Sequence, residues 1–252
     1  MSAQPSTEGP RPACPGRQAR EPAEGPRPEL VEGMAAILAG IKAGDADRVR
    51  RLLDEQPDLV GGLGENGDTP LLVATYYRAE DLIRLLLERG APVSLFEAAS
   101  LGDAQRVRQI LDDQPELLAA YSHDGWTPLH LAAHFGQLQV VDLLLARGAE
   151  VDVRSTNDLA NIPLHAALAG GSRASARRLV KQGADVNAVE TGGYTPLHQA
   201  ADLGDAEMAR FLVEHGARTD VRTDDQQTPE DVARAKGHIK LAEWLSRPTG
   251  RS

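Results

Sequence analysis

From residue 34 onward the apolar residues fall into short runs with a helical spacing, broken by small or polar residues every dozen positions or so. The run Val140-Val141-Asp142-Leu143-Leu144-Leu145 is one such stripe, and it stops at Gly148-Ala149. A glycine there ends a helix in the left-handed conformation that only glycine reaches cheaply. Upstream, Thr127-Pro128-Leu129-His130 reads as a helix start, with Thr127 at the N-cap and Pro128 at the first helical position, where its missing N–H costs nothing. The small pair Ala132-Ala133 lets this helix lie close to its neighbour, while Leu129, Val141 and Leu144 face the core. The pattern predicts short helices and no long strands.

This unit recurs. Shifting the chain by 58 lays Gly44–Ala91 over Gly102–Ala149 with 22 of 48 positions identical, which marks a duplicated block. A shorter period lies inside it. Thr127-Pro128-Leu129-His130 returns as Ile162-Pro163-Leu164-His165, Thr195-Pro196-Leu197-His198 and Thr228-Pro229-Glu230-Asp231, at spacings of 35, 33 and 33 residues (162 − 127, 195 − 162, 228 − 195).

A 33-residue period with tetrad, alanine pair and Gly-Ala in register resembles the ankyrin-repeat family, over about Met34 to Ser246. The resemblance implies an all-α fold, an ankyrin-repeat solenoid of about seven helix-turn-helix units with short β-hairpin fingers. The units fall near 34–62, 66–93, 94–120, 124–157, 158–190, 191–223 and 224–248. Because one unit cannot bury its apolar face alone, stability comes from stacking. The family uses the tetrad histidine to bond across units, which gives His130, His165 and His198 structural roles.

Two departures stand out. Gly90 and Leu95 are only five steps apart, so a finger is missing there, leaving either a binding notch or a deletion scar; Ser94-Leu95-Phe96-Glu97 still supplies a capping box. Arg78 stands where other units carry Gly102, Gly136 and Gly204, which puts that turn in question. At the other end, Thr228-Pro229-Glu230-Asp231 places acids in a first turn, where the helix dipole favours them, and Trp244 and Leu245 close the apolar pattern.

Composition adjusts this picture in a few places. Residues 1–33 are rich in Pro, Gly, Glu and Arg and contain Glu-Gly-Pro-Arg-Pro twice, at Glu8–Pro12 and Glu24–Pro28, so they are expected to be disordered, with Met34 a candidate start. Only 4% of residues are aromatic, which weighs against a β-sandwich. Cys14 is the single cysteine, which rules out an intrachain disulfide. The formal charge of −10 disfavours nucleic acid and anionic membrane as partners. A cytoplasmic monomer without cofactor is expected, and the Ala, Arg, Gly and Asp usage points to a bacterial source. The cluster Arg48, Arg50 and Arg51 and the pair Asp112 and Asp113 read as solvated helix faces.

No catalytic constellation is visible. His130 and His134 have the i, i+4 spacing of a two-histidine zinc site but lack the glutamate that would follow the first histidine, so no metal is expected. The resemblance places ligands on the concave side, built from finger tips and the exposed ends of the first helices. By motif register that surface comprises Tyr76, Tyr77, Trp126, His134, Phe135, Tyr194, Asp202 and Leu203, with Ala169 and Gly170 as a shallow spot between. Five of nine aromatics fall there, and aromatic side chains are common interface anchors. Trp126 and Tyr194 are expected to be exposed on fingers; Phe135 and Tyr77 either join that surface or pack inward. The partner is another protein, with the chain serving as scaffold, adaptor or inhibitor. Protection of one specific enzyme, or action as a host-directed effector, are the alternatives.

Overall fold

The computed structural model describes residues 28–247. Among these residues, seven helix pairs follow one another. They are α1 (Pro28–Lys42) with α2 (Ala46–Glu55), α3 (Pro70–Tyr76) with α4 (Glu80–Glu88), α5 (Leu95–Leu101) with α6 (Ala104–Asp113), and α7 (Pro128–His134) with α8 (Leu138–Ala146). α9 (Pro163–Ala169) with α10 (Arg173–Lys181), α11 (Pro196–Asp202) with α12 (Ala206–Glu214), and α13 (Pro229–Ala235) with α14 (Ile239–Leu245) complete the stack. The odd-numbered helices pack on one another as an inner layer and most even-numbered ones as an outer layer. This is the helical solenoid the repeat implies.

The first helix opens at Pro28, ahead of Met34, so the boundary expected from composition is corrected: at least residues 28–33 belong to the fold. Met34, Ile37, Leu38 and Ile41 are buried along it, and an apolar stripe of this kind carries the helix past the proline-rich composition that suggested disorder. The remainder of that expectation, residues 1–27, lies outside the described residues.

Proline at the first position recurs in α3, α7, α9, α11 and α13, each preceded by an extended residue. Among the described residues the fingers are turns without a strand. Each is closed by short-range bonds, as in Ser122 N to Trp126 O at 2.8 Å and Gly125 N to Ser122 O at 3.0 Å, and neighbouring fingers are tied by Thr156 N to Gly125 O at 2.9 Å and Asp224 N to Gly192 O at 3.0 Å. The turn after α3 forms although Arg78 replaces glycine there: Arg78 adopts φ 52°, a left-handed conformation that costs a non-glycine residue on the order of 1 kcal/mol.

The buried apolar side chains form two bodies, one from Met34 to Ala91 and one from Leu95 to Leu245, with half-buried Val93 touching both. The division coincides with the missing finger. There the notch is spanned rather than open: Gly67 lies directly against His123, and His123 Nε2 pairs with Asp68 Oδ1 at 2.6 Å. A cavity of about 370 Å³ remains beneath, bordered by Thr69, Leu72, Phe96 and Glu97. Glu97, 3% exposed, ties the junction together by accepting from Thr69 Oγ1 at 2.8 Å, Ser94 N at 3.0 Å and the Ser94 hydroxyl.

Candidate partner-binding face

The tetrad histidines set the geometry of the inner layer. His130 Nδ1 accepts from Thr127 N–H at 3.3 Å, so the ring hydrogen sits on Nε2, which donates to Asn161 O of the next unit at 3.2 Å; Thr127 Oγ1 donates to the same Nδ1 at 2.8 Å. His198 repeats the arrangement with Thr195 and Gln227 O. His165 does not. Ile162 has no hydroxyl to offer, and both ring nitrogens of this fully buried side chain lack a hydrogen-bond partner, the Tyr194 and Ala188 carbonyls facing the ring outside bonding geometry. Burial pushes His130 and His165 down to about 4 and lowers His198 and His134 as well. The inter-unit bonds therefore belong to the neutral imidazole.

The structure gathers four of the expected site residues into one aromatic cluster. Trp126 lies 5.1 Å from His134, Tyr76 lies 5.1 Å from Phe135, and His134 meets Phe135 edge-on at 4.9 Å. Within it, the expectation of an exposed Trp126 is overturned. Its indole is 8% exposed, folded back from the finger onto His130 in a stacked contact at 6.0 Å, and its Nε1 has no partner. An apolar surface that large gains more from the core than from solvent. Tyr76 is half-buried and donates to Asp124 Oδ2 at 2.6 Å. Burial, followed by Asp124 and Asp68, holds its phenol well above the ordinary value.

Tyr77 and Leu203 are the two open positions, at 53% and 52% exposure, so Tyr77 does not pack inward. Phe135 and His134 are half-buried, the His134 ring facing Ala166 O with its Nδ1 at 3.2 Å. At the far end Tyr194 is half-buried 5.6 Å from the His198 ring, and Asp202 pairs with Lys236 Nζ at 2.8 Å. The shallow spot has a steric origin: a Cβ on Gly170 would fall 1.9 Å from His134 O, so only glycine allows α7 and α9 this approach.

Two features escaped the sequence reading. Arg78 reaches across the inner face to donate to Gly170 O at 3.3 Å, far along the chain. An apolar groove of about 740 Å³ lies at the N-terminal end, between α1 and the finger at residues 62–68. Register could have flagged the second: the shift that maps Gly44 onto Gly102 maps Lys42, on the groove's edge, onto Ser100 of the same inner-helix row.

As for chemistry, no three His, Cys, Asp or Glu side chains gather as a metal site among the described residues, and no described helix is long and apolar enough to cross a membrane. Stacked helix pairs, with fingers beside the inner layer and mixed aromatic and charged side chains on that side, define a repeat scaffold. The family described as "Ankyrin repeats (3 copies)" matches residues 95–190 and 164–250, and "Ankyrin repeat" matches residues 66–98. The chain belongs to the ankyrin-repeat family, whose repeats generally mediate protein–protein interaction. It is 33% identical over 138 residues, 51% of this chain and 32% of the relative, to a putative ankyrin repeat protein, FPV240, of Fowlpox virus (strain NVSL). It is also 40% identical over 93 residues, 36% of this chain and 20% of the relative, to the probable E3 ubiquitin-protein ligase XBOS31 of Oryza sativa subsp. japonica. A third relative is the 2-5A-dependent ribonuclease of Mus musculus, 41% identical over 64 residues, 25% of this chain and 9% of the relative. The chain thus spans about a third or less of the length of these relatives.

Proposed function

We propose that this chain is a non-catalytic binding module that holds a partner protein on its inner face, as scaffold, adaptor or inhibitor. The observation that carries the reading is the contrast along that face. Trp126 and the tetrad histidines are consumed by the core, whereas Tyr77 and Leu203, at matching helix ends of different units, stay open with no core duty. Between them half-buried Tyr76, His134, Phe135 and Gly170 present a continuous floor held by fixed hydrogen bonds, and a rigid floor loses little entropy on binding.

The test is a double variant, Tyr77→Asp with Leu203→Asp, expressed in native cells alongside the unaltered chain, with co-purifying proteins quantified by mass spectrometry. Loss of one shared partner by at least about tenfold is expected for interface positions of this kind, at an unchanged melting temperature. Full retention of every partner by a folded double variant contradicts the assignment.

A further inference from the structure

The groove at the N-terminal end names the partner's chemistry more closely, an inference that rests on the inner-face reading above. We propose that it receives a short amphipathic helix of a partner protein, carrying apolar side chains on one face and Lys or Arg at its flanks.

The walls are unequal in kind. Leu30, Val31, Met34 and Leu38 of α1 form one side, and Leu63 of the finger, 64% exposed, forms the other. The charged lining is Asp58, Glu65 and Asp68 against Lys42 alone. This acidity continues along the finger tips. Asp158, Asp224 and Asp225 lie on later fingers, and none of them, nor Glu65, forms an ion pair among the described residues. A net acidic lining beside an apolar trough selects apolar segments with flanking positive charge.

Other occupants fit less well. A second copy would bring the same acidic rim and a formal charge of −10 against itself. Residues 1–27 contain Met1 as their only large apolar side chain, too little to fill a trough lined by leucine, valine and methionine. An extended strand needs a free row of backbone groups, but the finger uses its own: Gly64 N bonds Asp68 O at 2.8 Å and Gly67 N bonds Gly64 O at 2.9 Å. A helix satisfies its backbone internally and asks only for apolar contact, and the face of α1 from Val31 to Lys42 runs for about 16 Å, three turns.

The methionines provide the readout. Of the three in the chain, Met34 lines the groove and Met208 is fully buried in the other core body. With methyl-labelled methionine in the full chain, three synthetic helical peptides are titrated. One has a leucine face and Arg/Lys flanks, one the same face with Glu flanks, and one the Arg/Lys flanks with serine in place of leucine. The first should move the Met34 signal and leave Met208 in place, more weakly at high salt. Leu63→Asp, at an exposed position that tolerates the change in fold, should weaken it at least about tenfold. The other two should bind at least about tenfold more weakly. Equal binding of the Glu-flanked peptide, or no Met34 shift with the first, overturns the proposal. So does a concentration-dependent Met34 shift without peptide, which would indicate a second copy, or stronger binding of a peptide of residues 1–27. If Met34 stays unmoved while the Tyr77/Leu203 double variant still loses its partner, the groove assignment fails and the inner-face reading stands.

Discussion

Replacing His130 and His165 by leucine in separate variants should have opposite outcomes, although the two side chains hold the same motif position in adjacent units and are both fully buried. At His130 the change removes the bond to Asn161 O and those from Thr127 N–H and Oγ1. Each such bond contributes about 1 kcal/mol net, and the partners left unpaired in the interior cost more, so a loss of roughly 2–3 kcal/mol is expected. At His165 no bond is lost and two unpaired nitrogens are withdrawn from the core. Leucine there should be neutral or stabilising by up to about 1 kcal/mol. Urea titrations at pH 7, followed by far-ultraviolet circular dichroism, read both directly. A gap of about 3 kcal/mol between the variants is the expected result. Equal losses would refute the hydrogen-bond argument and leave packing as the whole account of the tetrad histidine.

Further outcomes follow from the same structure. Trp126→Ala should cost about 3–5 kcal/mol of stability in thermal melts, because the indole belongs to the core; a melting temperature within a degree of the unaltered protein would return it to the surface. Acid should destabilise the fold. His130 and His165 titrate near 4 when folded against an ordinary 6.5, so the unfolded chain binds more protons between those values and stability falls as pH drops through that window. Glu190, raised by burial to about 7 from 4.5, works in the opposite sense, losing stability as pH rises. The net, after discounting Glu190 for its partial exposure, is a loss of about 3 kcal/mol from pH 7 to pH 5 in urea titrations, and a flat profile would contradict it. Glu97→Ala should lower stability by roughly 2–4 kcal/mol and speed hydrogen exchange over residues 34–91 selectively, since it ties the two core bodies; uniform acceleration along the chain would count against a separable N-terminal body.

The repeat was legible because its signal is geometric. Proline at helix starts, alanine pairs and the glycine at position 148 each fix local backbone, and a 33-residue recurrence stacks those constraints. Register alone placed Tyr76, His134 and Phe135 together. It could not say which way a side chain turns. Trp126 shares its finger position with Tyr194, yet one indole folds inward onto His130 and the other ring stays half-buried near His198. The bridging of the missing finger was equally hidden, because it depends on Gly67 meeting His123 across units separated by an absent segment. The early start of α1 was masked by composition: the prolines and charges of residues 1–33 outweigh the stripe that begins with Leu30 and Met34.

Hydrogen exchange on the complex with whatever protein co-purifies with the unaltered chain tests the central claim most directly, since it maps the bound face without altering a residue. Protection concentrated in residues 63–78, 124–136 and 194–204, on the inner helices and fingers, is the predicted footprint. Protection confined to the outer helices α2, α6, α8 and α10, with the inner face exchanging as in the free chain, would contradict it.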